Sequence, residues 1–284
     1  MKTPTAPGPL MVIGGAEDKT GRCAILREFV RLAGGARARI VVLTVASEYP
    51  AEVGAEYAEV LARLGAGQVR PLDVRRREEA CAEGLVEAIG AATGVFFTGG
   101  DQLRIANLLG GTATDRALRR HEGGLVLAGT SAGASMMSGT MIVEGRSEGS
   151  PRLGDARIGP GMDFLHGTII DQHFGARGRM GRLLSALAQY PHQLGIGIDE
   201  DTAMVVRGER FEVIGSGAVT VLDAGAASHN DMLERREGEC LALCGVALHV
   251  LTAGLGFDLA ARVPILPRRT TLKKKTENNR HADR

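Results

Sequence analysis

The 284-residue sequence lacks the marks of several large protein classes. It has four cysteines, Cys23, Cys81, Cys240 and Cys244, and the one close pair, Cys240 and Cys244, has no second cysteine or histidine pair to complete a zinc site. Buried free thiols are therefore expected. No uncharged apolar run approaches the ~18 residues of a membrane-spanning helix, and no signal-peptide stretch precedes the first apolar segment. A soluble cytoplasmic protein with no membrane contact is the expectation. No Gly-x-Gly-x-x-Gly follows that first segment, and no Gly-Lys-Ser or Gly-Lys-Thr triplet occurs, so no nucleotide site is expected.

A net excess of positive charge is also lacking outside one place. Residues 263–284 carry seven basic side chains, among them Lys273, Lys274 and Lys275, against Glu277 and Asp283, which leaves the preceding body mildly acidic. Such a polar run without apolar period reads as a solvated, disordered tail rather than a nucleic-acid arm. With no long linker before it, residues 1–262 are expected to form a single domain.

What is present alternates strand and helix. Leu10 to Ile13, Ile40 to Thr44, Gly94 to Thr98 and Leu125 to Ala128 are short apolar runs of buried-strand type, and between them Ala24 to Ala33, Ala51 to Leu64, Ala80 to Gly90 and Asp101 to Leu109 carry apolar residues at helical spacing. Continuous apolar strands are buried on both faces, which predicts an α/β fold of three layers with a largely parallel sheet between helices. In the C-terminal half, Thr168 to Gln172, Gly195 to Asp199, Ala203 to Val206, Phe211 to Ser216 and Val219 to Leu222 predict shorter, antiparallel strands that extend the sheet. Ligands of such sheets bind beyond the carboxyl ends of the strands, where Gly14-Gly15-Ala16-Glu17-Asp18, Ala46-Ser47, Gly99-Gly100-Asp101-Gln102 and Gly129-Thr130-Ser131-Ala132-Gly133 all fall.

The last of these is a Gly-x-Ser-x-Gly turn between an apolar strand and an Ala-rich helix, the setting of a nucleophilic serine in a strained elbow. Glycines at 129 and 133 let the two backbones approach, and the Ala132 amide points where an oxyanion would form. A serine needs a base and a group to orient the base. Among seven histidines, His173 alone ends an apolar strand amid polar residues, in Asp171-Gln172-His173-Phe174. Asp199-Glu200-Asp201 closes another apolar segment, and alternation sets Glu200 on the face opposite its two neighbours. The order serine, histidine, acid differs from that of α/β-hydrolases, in which the acid precedes the histidine. Arg177, Arg179 and Arg182 follow the base, and guanidinium groups bind carboxylates in bidentate fashion, so an anionic substrate group is implied.

Phe97-Thr98-Gly99-Gly100-Asp101-Gln102, Gly129-Thr130-Ser131-Ala132-Gly133-Ala134, Asp171-Gln172-His173-Phe174 with the three arginines, and Gly195-Ile196-Gly197-Ile198-Asp199-Glu200 together resemble the cyanophycinases of the S51 serine peptidase family, which also contains aspartyl dipeptidases. The resemblance runs from about Gly8 to Asp223. It implies a fold like that of class I glutamine amidotransferases, a homodimer, and no metal or organic cofactor. It implies Ser131 as nucleophile, His173 as base and Glu200 as acid, with Glu144, Glu148 and Asp155 as alternative acids shortly after the elbow. Gly99 or Gly100 would join Ala132 in an oxyanion hole, and Gln102, Asp171, Gln172, Arg177, Arg179 and Arg182 would line the substrate pocket. The implied substrate is cyanophycin, a polyaspartate with arginine on each β-carboxyl group, cut to β-Asp-Arg dipeptides. An aspartyl dipeptidase of the same family and a catalytically inactive binding protein stay open at this point. A glutamine amidotransferase does not, because its thiol nucleophile is replaced by Ser131.

Overall fold

The structure, a computed structural model, describes residues 8–119, 124–147 and 149–267. The first half runs β1 (Leu10–Ile13), α1 (Ala24–Leu32), β2 (Arg39–Leu43), α2 (Pro50–Arg63), β3 (Gln68–Leu72), α3 (Glu83–Ala91), β4 (Gly94–Phe97), α4 (Gln102–Leu109), α5 (Ala113–Arg119), β5 (Val126–Thr130) and α6 (Ala132–Ser135). All four side chains of β1 are buried, Leu10 and Val12 in one apolar cluster and Met11 and Ile13 in another. Successive strand residues face opposite sides, so this division means a sheet covered on both faces. It recurs in β2, where Val41 and Leu43 join the first cluster and Ile40 and Val42 the second. Helices α1 and α2 cover one face through Ile25, Leu26, Phe29, Tyr57 and Leu61, and α3 to α6 cover the other.

The second half contributes β6 (Thr140–Gly145), β7 (Ala156–Pro160), β8 (Thr168–Gln172), α7 (Met180–Gln189), β9 (Leu194–Ile198), β10 (Thr202–Arg207), β11 (Arg210–Gly215), β12 (Ala218–Asp223), β13 (His229–Asn230), β14 (Leu243–Cys244), β15 (Ala247–Thr252), β16 (Gly256–Asp258) and β17 (Val263–Ile265). The main sheet has nine strands in the order β17-β16-β11-β10-β1-β5-β4-β2-β3. Its β1, β5, β4, β2 and β3 are parallel, and β10 turns antiparallel against β1.

The expected extension of this sheet is half of the outcome. Strands β10, β11, β16 and β17 do extend it, but β8, β9 and β12 form a separate four-stranded sheet with β15. Ile170, Ile196, Ile198, Val219 and Val221 of that sheet share a core with Met204 and Val213 of the first. Helix α7 closes its outer face with Leu183, Ala186 and Leu187 against Ile169, Phe174 and Leu222. Two sheets thus pack face to face where the sequence pattern suggested one, because a strand's apolar content does not say which sheet pairs it.

Strand β17 runs past the domain boundary expected at 262, pairing with β16 through Val263 and Ile265; residues 268–284, including Lys273 to Lys275, lie outside the described residues. Of the cysteines, only Cys23 is buried; Cys81, Cys240 and Cys244 are exposed and unbonded. Cys81 ends a short 3₁₀ turn and Cys244 lies in the two-residue strand β14.

The elbow forms as its glycines require. A Cβ at Gly129 would stand 2.1 Å from the Gly133 carbonyl oxygen, and one at Gly133 would stand 2.5 Å from that of Phe97. Neither contact is possible, so α6 can lie on β5 and β4 only with glycine at both positions. Gly133→Ala is expected to lower stability by about 3 kcal/mol, the upper range for overpacking against backbone, measured as a shift in the urea unfolding midpoint with unchanged slope.

Candidate active site

The carboxyl end of β1 meets the second sheet at Gly14 and Gly15. The Gly14 amide donates to the Thr202 carbonyl at 2.9 Å, its carbonyl accepts the His173 amide at 2.8 Å, and the Gly15 carbonyl accepts the Asp201 amide at 2.9 Å. An added Cβ at Gly15 would fall 2.4 Å from His173 Nε2, so only glycine lets the imidazole lie here. Strands β8 and β9 are parallel neighbours with Gln172 beside Ile198, and each delivers one side chain just past its end, His173 from β8 and Glu200 from β9.

Ser131, next after β5, adopts φ 53° and ψ −111°, and His173 has φ 48°. Both are left-handed conformations that cost about 1–3 kcal/mol each in a non-glycine residue and are held by their surroundings. They bring His173 Nε2 to 3.1 Å from Ser131 Oγ and His173 Nδ1 to 2.6 Å from Glu200 Oε1. With Nδ1–H donating to Glu200, Nε2 is free to accept the serine proton. Gln172 Oε1 lies 3.4 Å from the same hydroxyl. Asp199 and Asp201 are occupied elsewhere: Asp199 accepts the amides of Gly175 and Ala218, and Asp201 accepts the amide of Asp18 and the hydroxyl of Ser216.

Of the alternative acids, Glu144 pairs with Arg157 at 2.6 Å on the exposed β6–β7 hairpin, and Asp155 caps its own turn by accepting the Arg152 amide at 3.1 Å. Neither approaches His173; Glu148 lies outside the described residues. Gly99 packs against the nucleophile, since a Cβ there would be 3.4 Å from Ser131 Cβ, whereas Gly100 turns away toward the Ala46 carbonyl. Ala132 opens α6, where the first amides have no acceptor within the helix.

The polar residues expected to line the pocket divide sharply. Asp171 is 1% exposed, and Arg182 grips it with two hydrogen bonds, one of 2.6 Å from Nε to Oδ2 and one from Nη2 to Oδ1. Arg179, also buried, reaches Asp171 at 3.4 Å and donates to the Gln172 carbonyl at 2.5 Å. Burial draws its guanidinium down to about 10 despite that carboxylate. Asp171, Arg179 and Arg182 therefore form a buried network beneath the histidine rather than a pocket wall; only Arg177 of the three arginines is exposed. Gln102 is likewise committed, its amide donating to the Ile142 and Val143 carbonyls at 3.0 and 2.6 Å.

One participant escaped the sequence reading. Glu17 is buried beside the nucleophile, accepting the Thr130 hydroxyl at 2.6 Å and the Tyr57 hydroxyl. With Lys19, Glu56, Tyr57, Gly99 and Ser131 it lines a cavity of about 240 Å³. Its place after the first strand marked the segment, but nothing in the pattern distinguished Glu17 from its neighbours. Among the described residues, no group of three or more His, Cys, Asp or Glu is arranged to hold a metal ion, and no helix is long and apolar enough to cross a membrane.

The profile of peptidase family S51 matches residues 10–214. The chain belongs to that family. This S51 peptidase is 41% identical over 271 residues to a cyanophycinase of Nostoc sp. strain PCC 7120, covering 94% of this chain and 91% of the relative. A cyanophycinase of Geminocystis herdmanii is 39% identical over 259 residues, covering 90% and 95%. Among solved structures, a peptidase from an acI-B1 actinobacterium superposes with a TM-score of 0.68 at 22% identity, over 90% of this chain and 98% of that one, which shows a shared fold.

Three outcomes follow from the charges of this S51 site. Burial pushes the His173 imidazole below its ordinary value of 6.5, the Glu200 hydrogen bond opposes this, and Arg177 and Arg179 add to the lowering. A histidine acting as base works when neutral, so with His173 in that role kcat/KM should rise with pH through a midpoint below 6.5 and stay flat above it. Arg177→Gln should move that midpoint upward by removing one cation. Asp171→Asn, which strands two buried guanidiniums, should cost about 3–5 kcal/mol of stability, measured by urea unfolding.

Proposed function

We propose that this S51 serine peptidase hydrolyses cyanophycin and releases β-Asp-Arg dipeptides. The observation that carries the reading is the continuous path from Ser131 through His173 to Glu200, with contacts of 3.1 and 2.6 Å, in a chain 41% identical to a cyanophycinase over nearly its whole length.

Ser131 Oγ attacks the main-chain carbonyl of the aspartyl backbone as His173 Nε2 takes its proton, and Glu200 steadies the imidazolium that results. The oxyanion is met by the Ala132 amide and a second amide from Gly99, the nearer of the two glycines to the serine. His173 then passes its proton to the departing amine, the acyl bond to Ser131 remains, and a water deprotonated by the same nitrogen releases the dipeptide. Arg177 is the exposed cation at the mouth and takes the α-carboxylate of a substrate arginine. Asp171, Arg179 and Arg182 act from below: Arg179 holds the carbonyl of Gln172, the residue before His173, and so fixes where the base stands. The reading includes a cytoplasmic homodimer, which light scattering would register at twice the 29.8 kDa chain mass.

Incubation with insoluble cyanophycin should release soluble β-Asp-Arg, while an Asp-Leu dipeptide is left intact; turnover of the dipeptide alone would make this an aspartyl dipeptidase instead. Ser131→Ala should abolish release without changing the unfolding midpoint. Glu200→Gln should lower kcat by about 10²- to 10⁴-fold, since an amide can hold the imidazole in the wrong tautomer; a near-normal rate would remove Glu200 from the triad.

A further inference from the structure

The triad leaves unexplained the cavity that opens beside its nucleophile. At about 240 Å³ it is smaller than the roughly 300–1,000 Å³ of sites for whole small molecules, and so suits one side chain. Its floor is Glu17, 4% exposed. A carboxylate so far from water is costly unless hydrogen bonds or a cation meet it. Glu17 has two hydroxyl donors, Tyr57 and Thr130, and among the described residues no ion-pair partner. Burial and the neighbouring Glu17 push the Tyr57 hydroxyl well above its ordinary value, so it remains a donor to that carboxyl group.

The wall opposite already holds a cation. Lys19 Nζ lies 2.8 Å from Glu56 Oε2 and 4.3 Å from the centre of the Tyr57 ring. An ammonium between a carboxylate and an aromatic face is the arrangement by which proteins bind cationic ligands, and here the chain itself supplies the occupant. Two carboxylates against one ammonium leave the cavity with one negative charge in excess. Because Ser131 and Gly99 form part of the wall, a side chain on the residue under attack would extend into it.

We propose that this cavity is the subsite for the guanidinium side chain of the residue whose carbonyl Ser131 attacks, with Glu17 and Glu56 supplying its charge and Lys19 a resident cation that the substrate displaces. The assignment rests on the cyanophycinase reading, and the arginine borne on each β-carboxyl group is the cation it receives. Arg177 and this cavity then grip opposite charges of one substrate unit.

The test is calorimetric titration of the full chain carrying Ser131→Ala with β-Asp-Arg and with β-Asp-citrulline, the neutral isostere. The expected result is tighter binding of β-Asp-Arg by at least about tenfold, the size of a lost charge-assisted hydrogen bond. Adding Glu17→Gln, or Glu56→Gln at the exposed wall should the first variant unfold, should remove most of that preference. Lys19→Met should strengthen β-Asp-Arg binding by about threefold or more, through loss of the competing cation. Equal binding of the two dipeptides, or an unchanged preference in both carboxylate variants, overturns the subsite. Turnover of cyanophycin by the unaltered enzyme is read separately. Its absence alongside an intact preference for arginine would remove the substrate reading while leaving the cavity as a guanidinium site.

Discussion

The candidate active site depends on one seam, the backbone hydrogen bonds by which Gly14 and Gly15 join the main sheet to the second. Ser131 belongs to the first sheet, and His173 and Glu200 to the second. A base takes a proton directly from a hydroxyl only at about 2.6–3.2 Å, and a junction between two packed sheets is not by itself so exact. The seam makes it so, because it bonds the residue carrying the base directly to the strand that pairs with β5. The two glycines are fixed by the same requirement: a Cβ at Gly14 would strike the Asp199 carbonyl at 2.0 Å, and one at Gly15 would strike the imidazole. Strain at Ser131 and His173 is tolerated because this region is over-determined by hydrogen bonds and core packing.

Charge is layered around that seam. Nearest the core, Asp171 and its two arginines form a closed network whose worth lies in direction rather than in net stabilisation, since buried ion pairs roughly break even against desolvation. Above it sits a histidine kept neutral by burial and nearby guanidiniums, and outermost are Arg177 and Glu200, the latter 42% exposed at its side chain. The carboxylate hydrogen-bonded to His173 is thus partly in water. It is the 2.6 Å bond to Nδ1, not a desolvated charge, that carries its effect.

Much of this was legible in the sequence, for identifiable reasons. Strands β1, β2, β4 and β5 announce themselves because burial on both faces demands unbroken apolar residues, and Ser131, His173 and Glu200 because each follows such a run. Strand β3 was not visible: as an edge strand it carries Gln68, Arg70 and Pro71, mostly exposed, and has no apolar signature. Helix α7 hid behind its arginines. Arg182 looks like a solvated charge until Asp171 is known to face it from β8, and that contact is tertiary. The same holds for the division into two sheets, since β9 and β10 are nearly consecutive and equally apolar yet part company at Asp199 to Asp201. Glu17 was unreadable for a related reason, as its partners Tyr57 and Thr130 lie 40 and 113 residues away.

His173 and Glu200 leave adjacent parallel strands joined by α7, so the spacing between base and acid is inherited from the repeat of the sheet, about 4.8 Å between neighbouring strands. Ser131 has no share in that repeat. The candidate site therefore has two parts, the His173–Glu200 pair held within the second sheet and Ser131, which meets that pair only while the sheets stay docked. Heat that loosened the docking would part Ser131 from His173 while leaving the 2.6 Å contact between His173 and Glu200 within its own sheet.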